Sequence, residues 1–330
     1  MSASAEDSCM HLDPDQLRLM LRQMYEIRAF EEAAGKLYKR GMLKGGVHAC
    51  IGQEAIPVGV SLHLRLDDYI TSTHRGHGHH IAKGADVKRL MAELMGKETG
   101  YCKGRGGSMH VAAFDVGSLG AFPIVAAGVP SALGAALSFQ MRGTDQVVVA
   151  YFGDGALGQG TIYEAFNLAV VWKLPVVFVC ENNRLAVSTS SLQTVALQDV
   201  SGFAASLGFV GVRVNGQDAI EVSSVAEGAV QRARSGDGPT LIYADTYRFE
   251  GHYFGEPEVY RKREDVVRLR QEQDPIAIFS SRLRREGLLD DAGELEMQEA
   301  ARAAIESALE FAQQSPDPKP QDYGEYVYAE

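Results

Sequence analysis

The apolar positions of this chain switch between two periods. Residues 147–152, VVVAYF, are β-branched and aromatic without a break, as in a strand covered on both faces. The run stops at Gly153-Asp154-Gly155. A segment with Ile162, Phe166, Ala169 and Val170 at helical spacing follows, then a second apolar run, 176–180, that ends in Glu181-Asn182-Asn183. Strand, glycine turn, helix, strand is a βαβ unit, whose strands are parallel and adjacent. Asp154 and Asn183 are therefore expected at the C-terminal ends of neighbouring strands. Such strands lie about 4.8 Å apart, so both oxygens could hold one cation. Ligands of open α/β sheets bind in this crevice.

The same alternation continues on either side. Asp13 as N-cap and Pro14 at the first position introduce a long helix over 16–39, with Leu17, Leu21, Met24, Ile27 and Phe30 as its apolar stripe. It could pack on another subunit or on its own core. A loop (41–46), a helix (53–64) and a short strand (68–73) lead into a histidine-rich turn, His74-Arg75-Gly76-His77-Gly78-His79-His80. A helix (86–96), a glycine- and cation-rich loop (103–110) and a helix of small apolar residues (128–141), expected to be buried, come next. Beyond the βαβ unit the pattern predicts a strand (211–215), a helix (218–235), a strand (240–246) and a polar loop (248–258). Two charged amphipathic helices (264–285 and 291–314) and an acidic tail close the chain. The expected fold class is α/β: a mostly parallel twisted sheet with helices on both faces, plus helical N- and C-terminal extensions. The division read from the pattern is a helical arm (1–45), a ligand-binding α/β domain (46–262), and C-terminal helices and tail (263–330).

Composition narrows the function classes. Of 330 residues, 45% are hydrophobic and 23% charged, an ordinary globular mixture. A net charge of −11 argues against nucleic acid or an anionic membrane as partner. No apolar run reaches the roughly 18 residues of a membrane span. The acidic N-terminus has neither the apolar core of a secretion signal nor the arginines of a transit peptide. Cys9, Cys50, Cys102 and Cys180 form no CxxC and no disulfide framework. Both features suit the cytoplasm.

Two readings compete for the glycine turn. Gly153, Gly155 and Gly158 match G-x-G-x-x-G, with Glu181 placed as a ribose-binding acid, so an NAD- or flavin-binding oxidoreductase is one candidate. Against it, about 150 residues precede the motif. A carboxylate between the first two glycines would also repel a pyrophosphate. That carboxylate makes sense if a hard divalent cation, Mg²⁺ or Ca²⁺, bridges it to phosphates. Glycines at 153 and 155 would then let the backbone approach the anion. Four histidines in one turn raise the possibility of zinc, but no cysteine or carboxylate accompanies them there.

Gly153-Asp154-Gly155 followed by Asn182-Asn183 resembles the thiamine-diphosphate motif. Ile51-Gly52-Gln53-Glu54-Ala55, the tract 73–78, the tract 103–110 and Tyr247-Arg248 with Gly251-His252 extend the likeness from about Met24 to Arg261. Together they resemble the alpha subunit of the thiamine-diphosphate-dependent dehydrogenase component of 2-oxo acid and acetoin dehydrogenase complexes. The resemblance implies a thiamine-diphosphate-binding fold, with Mg²⁺ on Asp154, Asn183 and the Leu185 carbonyl. It places His74, Arg75, Val125, Gly153, Gly155, Ala156 and Arg248 around the cofactor, the two arginines clamping its phosphates. His77 and His252 are the expected catalytic residues: negative charge develops on the substrate's carbonyl oxygen, and imidazoles can donate to it and shuttle the proton. His110 is left as structural. The resemblance further implies a beta subunit in an α2β2 heterotetramer, supplying the glutamate that activates the aminopyrimidine, and a lipoyl-bearing acyltransferase that accepts the acyl unit.

Some positions depart from the family's usual pattern. His74 stands where pyruvate-type members have tyrosine, which looks like the acetoin-cleaving branch. Leu185 replaces a common tyrosine without affecting a carbonyl ligand. Phe122 and Pro123 stand where a glycine-rich run is usual and are expected to change the pocket. Tyr253 occupies the place of a regulated serine, so phosphorylation there by a serine kinase is not expected. The reading is a subunit that cleaves acetoin or decarboxylates a small 2-oxo acid such as pyruvate or a branched-chain acid. The alternatives are the nucleotide-binding oxidoreductase and a silent scaffold subunit.

Overall fold

In β3 (Val148–Gly153) and β4 (Val176–Asn182) the side chains alternate between two buried layers. Val148, Ala150, Phe152, Val176, Phe178 and Cys180 pack on one face of the sheet, Val149, Tyr151, Val177 and Val179 on the other. Both layers are apolar because both faces are covered by helices. A computed structural model describes residues 12–43, 45–196, 199–320 and 324. Cys9, the start of the acidic N-terminus and most of the acidic tail lie outside the described residues.

Before this pair come α1 (Pro14–Lys39), α2 (Ala55–Ser61), β1 (Tyr69–Thr73), α3 (His77–Ala82), α4 (Val87–Leu94), β2 (Ser118–Phe122) and α5 (Gly128–Arg142). Helix α6 (Gly160–Val171) links β3 to β4. After β4 come a small hairpin, β5 (Leu185–Ala186) and β6 (Thr189–Ser190), then α7 (Ser191–Thr194), α8 (Val200–Ser206), β7 (Val210–Asn215), α9 (Ala219–Arg234) and β8 (Thr240–Asp245). Three helices finish the chain: α10 (Arg263–Gln273), α11 (Pro275–Arg285) and α12 (Asp291–Gln314). The six long strands form one parallel sheet in the order β2-β1-β3-β4-β8-β7. This is the expected α/β class. Helices α5, α6 and α8 cover one face, α2 and α9 the other. Helix α1, with an Asp13 capping box, lies on α12, and its apolar stripe joins a third cluster with α4, α11 and α12.

Several elements differ from expectation. The predicted helix 264–285 is two helices, because Pro275 forces Asp274 into extended backbone (ψ 117°). Asp274 then caps α11 and binds Arg28 through two bonds of 2.9 and 3.1 Å. The strand β2 carries no apolar run, only Ser-Leu-Gly-Ala-Phe with Gly120 at φ 141°, so its pattern is invisible in the sequence. Half of the histidine-rich turn is helix α3. Helix α5 is buried on one side only: Val129, Ala132, Ala136 and Phe139 meet the sheet, while Pro130, Ser131, Gly134 and Met141 are exposed.

The glycine-rich loop is ordered from inside. Glu93 on α4 is fully buried, and its carboxylate accepts the backbone N–H groups of Cys102, Gly104, Gly106 and Gly107 at 2.7–3.0 Å. Four donors on one carboxylate replace its lost hydration.

Arg28 is the other buried joint, bridging Glu54, which is 0% exposed, and Asp274. Replacing it strands a buried carboxylate. Arg28→Met is expected to lower unfolding free energy by about 3–5 kcal/mol, read from urea denaturation, with Glu54→Gln restoring part of the loss.

Candidate active site

The C-terminal ends of β1, β3, β4 and β8 open into a cavity of about 420 Å³. The parallel register sets its floor. Gly153 lies opposite Glu181, so Asp154 and Asn183 follow directly at adjacent strand ends, both buried. The cavity brings together His74, Arg75, Val125, Gly153, Asp154, Gly155, Ala156, Asn183, Leu185, Arg248 and His252, from segments far apart in sequence.

Asp154 and Asn183 stand at one side of the cavity. Burial pushes the Asp154 carboxyl up to about 6, against the pull of the Arg248 charge and backbone N–H groups. Its Oδ2 is buried and has no partner among the described residues. The Asn183 side chain donates to Gln53 Oε1 (3.3 Å) and accepts from the Leu185 amide (3.2 Å). An unsatisfied buried carboxylate oxygen and an amide oxygen at adjacent strand ends are oxygen donors of the kind a hard divalent ion takes. A Cβ at Gly155 would come 2.8 Å from Ala186 Cβ, so glycine keeps this turn tight.

Two buried arginines line another part of it. Arg75 and Arg248 are 4% and 1% exposed. Arg75 donates to the carbonyls of Ala49 and His252, and Arg248 to those of Glu250 and Val187 and to Tyr260 Oη (2.9 Å). Among the described residues neither guanidinium bonds a carboxylate. Burial and the Arg248 charge push Arg75 down to about 9. Val187, whose carbonyl holds Arg248, has φ 56°, a strained conformation for a β-branched residue.

Three imidazoles line the same cavity. The rings of His48, His74 and His252 have centroids 4.7–5.3 Å apart, and one nitrogen of each falls within 4.8 Å of the others. Burial first, then the charges of Arg75 and Arg248, hold all three far below the usual imidazole range, at about 3, 2 and 4. Neutral imidazoles can ligate metals, yet two guanidiniums beside them make this a poor place for a dication.

His77 does not reach the cavity. It is 0% exposed, its Nδ1 is 2.9 Å from Glu31 and its Nε2 is 3.0 Å from Ser108, so both ring nitrogens are engaged. The expected catalytic contact is therefore corrected: helix α3 turns His77 towards α1. Its neighbours diverge as well, His79 to Ser72 (2.7 Å) and Glu181 (3.2 Å), His80 to Ser118 (2.8 Å). Successive helical residues point about 100° apart, so four histidines in sequence do not become one metal site. His48, Gln53 and Met109 line the cavity beside the expected residues, and so does Glu181, which the sequence offered only as a ribose-binding acid. A lone histidine inside the apolar tract Val47–Ile51 was the only signal for His48. Phe122 and Pro123 also line the wall, Phe122 paired with Thr73 on β1, so their departure does reach the pocket.

The nucleotide-binding alternative fails on this geometry. Gly153 ends β3, Gly155 and Gly158 lie in a 3₁₀ turn (Asp154–Gly158) ahead of α6, and Glu181 is paired with His79. A parallel α/β sheet carrying an acid and an amide at adjacent strand ends, with two arginines nearby that bond no carboxylate among the described residues, defines an α/β protein with a polar ligand crevice at the C-terminal ends of its strands.

The chain belongs to the dehydrogenase E1 component family, whose model matches residues 22–321. It is 44% identical over 97% of its length to the acetoin:2,6-dichlorophenolindophenol oxidoreductase alpha subunit of Bacillus subtilis, covering 95% of that protein. It is 41% identical over 90% of its length to the pyruvate dehydrogenase E1 alpha subunit of Rhizobium meliloti, covering 85%. Against the Cupriavidus necator acetoin oxidoreductase alpha subunit the identity is 40% over 99%, covering 98%. The family is one of thiamine-diphosphate-dependent oxidoreductase alpha subunits, which implies both that cofactor and a beta subunit.

The depressed histidines make stability depend on pH. His48, His74, His80 and His252 bind protons more readily in the unfolded chain, near 6.5, than in the folded one. Their contribution is complete above about pH 6.5 and is lost as pH falls towards 4. Asp154, raised to about 6, works in the opposite sense below that value but is one group against four. The melting temperature is expected to fall by roughly 5 °C or more between pH 7.5 and 5.5, measured by calorimetry.

Proposed function

We propose that this chain is the alpha subunit of an enzyme that cleaves acetoin, a small acyloin, and passes the two-carbon unit to a lipoyl group. The observation that carries this reading is the third imidazole, His74, standing with His48 and His252 around one cavity. Two of the three relatives described above are named as acetoin oxidoreductases. The second reading, a pyruvate or other 2-oxo acid dehydrogenase alpha subunit, is favoured by the Rhizobium relative.

The residues take the following parts. Asp154, Asn183 and the Leu185 carbonyl would hold Mg²⁺, which satisfies the orphaned Asp154 Oδ2. Arg75 and Arg248 would clamp the diphosphate, with Gly153, Gly155 and Ala156 giving it a close backbone. When bound, thiamine diphosphate supplies a nucleophilic carbon and an electron sink for carbon–carbon cleavage. His252 and His48 would donate to the substrate's carbonyl oxygen as charge develops there, and His252 would carry the proton. His77 is a positioning residue, joining Glu31 on α1 to Ser108 of the glycine-rich loop. Val125, at the rim, would pack on the cofactor's ring.

The rest of the site is assigned to partners. An α2β2 assembly would bring the beta subunit's glutamate to the aminopyrimidine. The exposed face with Ile124, Met141, Val171 and Trp172 near α5 and α6 is apolar enough to need such a cover. A lipoyl-bearing acyltransferase would take the product. A cytoplasmic setting agrees with free thiols at Cys50, Cys102 and Cys180. No helix among the described residues is long and apolar enough to cross a membrane.

Calorimetry on the chain paired with its beta subunit checks the cofactor reading: thiamine diphosphate with Mg²⁺ should bind, and NAD should not. Asp154→Ala should weaken that binding by at least about 100-fold. Unchanged affinity would remove Asp154 from the metal site. Turnover of acetoin and pyruvate by the pair decides between the two substrates, and no turnover of either would favour a silent scaffold.

A further inference from the structure

We propose that His48, His74 and His252 act as one proton-holding cluster, loaded from solvent when a diphosphate or similar oxyanion settles against Arg75 and Arg248. The inference rests on reading the cavity as a diphosphate site, and adds what that anion does to this chain's own residues.

Geometry carries it. His252 Nδ1 lies 3.5 Å from Arg75 Nη2 and 3.4 Å from Arg248 Nη1, a base wedged between two cations. His48 packs edge-on against both other rings, with centroids at 4.7 and 4.8 Å, and its Nδ1 is buried without a partner among the described residues. The remaining groups facing the cluster are few. Glu256 accepts the His252 backbone N–H and Tyr260 Oη, His77 lies behind His48, and the Tyr253 ring stands 6.3 Å from His48. Glu256 acts on His252, and Asp154 and Glu181 line the same cavity; against these carboxylates, burial and the two guanidiniums disfavour a charged ring.

The guanidinium repulsion lifts when an anion arrives. Without it, burial and the arginines keep all three imidazoles neutral. An oxyanion on Arg75 and Arg248 cancels their charge, which removes the repulsion that acts on the three rings in addition to burial and so favours an imidazolium. One proton then moves from solvent to an imidazole nitrogen, forming an N–H bond with no change of oxidation state. Rings this close repel each other once charged, so the cluster takes up one proton rather than three. The group able to protonate a carbonyl oxygen would thus be charged only while the cofactor's diphosphate is in place.

Sulfate is the probe, because its own charge is constant near neutrality. Sodium sulfate is added, in an unbuffered cell at pH 7, to the full chain paired with its beta subunit and freed of cofactor. The expected result is uptake of about half to one proton per site, and tighter sulfate binding as pH falls from about 8 to 6. In the double variant His48→Asn, His74→Asn the uptake should drop by at least half while sulfate still binds at pH 8. Should the double variant melt early, His74→Asn alone gives the same sign at smaller size. Sulfate binding without proton uptake, or uptake unchanged in the variants, overturns this inference and leaves the diphosphate site standing. Failure of sulfate to bind at all overturns both.

Discussion

Arg75 and Arg248 sit almost wholly out of water on either side of His252 and, among the described residues, bond no carboxylate. Burying a cation costs several kcal/mol when its partner is missing, and the carbonyls of Ala49, Glu250, Val187 and His252 offset only part of it. The protein keeps this arrangement because the sheet imposes it. Arg75 follows the last residues of β1 and Arg248 follows β8, two strands separated by β3 and β4. Between them, those central strands deliver Asp154 and Asn183. Two buried cations and a buried acid with an amide beside it in the strand order thus share one crevice.

How much of this could be read from the chain depends on where the relevant signal is written. The strands β3 and β4 were legible because both faces are buried, which leaves an unbroken apolar run. Asp154 and Asn183 were legible because they end those runs. The edge strand β2 was not, since Gly120 and Ser118 interrupt any apolar pattern and its pairing is supplied by β1. His77 misled because a tract that reads as a turn becomes helix α3, and the side chain then turns inward. The cluster of His48, His74 and His252 was not legible as a unit: three segments contribute one ring each, and only the tertiary fold places them in contact.

The exposed side of α5 and the neighbouring α6 tells a related story. A helix of small residues reads as buried, yet this chain covers only half of α5. Small residues mark close approach without saying which molecule approaches. Pattern within one sequence marks small, apolar surface, and the fold of this chain covers only part of it.

Glu93 bears on the order of events around the cavity. Its carboxylate already fills the ring of amides formed by Cys102, Gly104, Gly106 and Gly107. Glycine-rich amide rings of this kind can capture a phosphate, but here the chain has supplied its own permanent guest. The loop that carries Ser108 and Met109 can therefore set before any cofactor arrives. The segment around Val187, which holds Arg248 at the cost of a strained backbone, has no such buried carboxylate bonded to its amides among the described residues. One part of the cavity lining is thus fixed by the chain's own carboxylate, whereas Arg248 is held by the carbonyl of a residue in left-handed backbone.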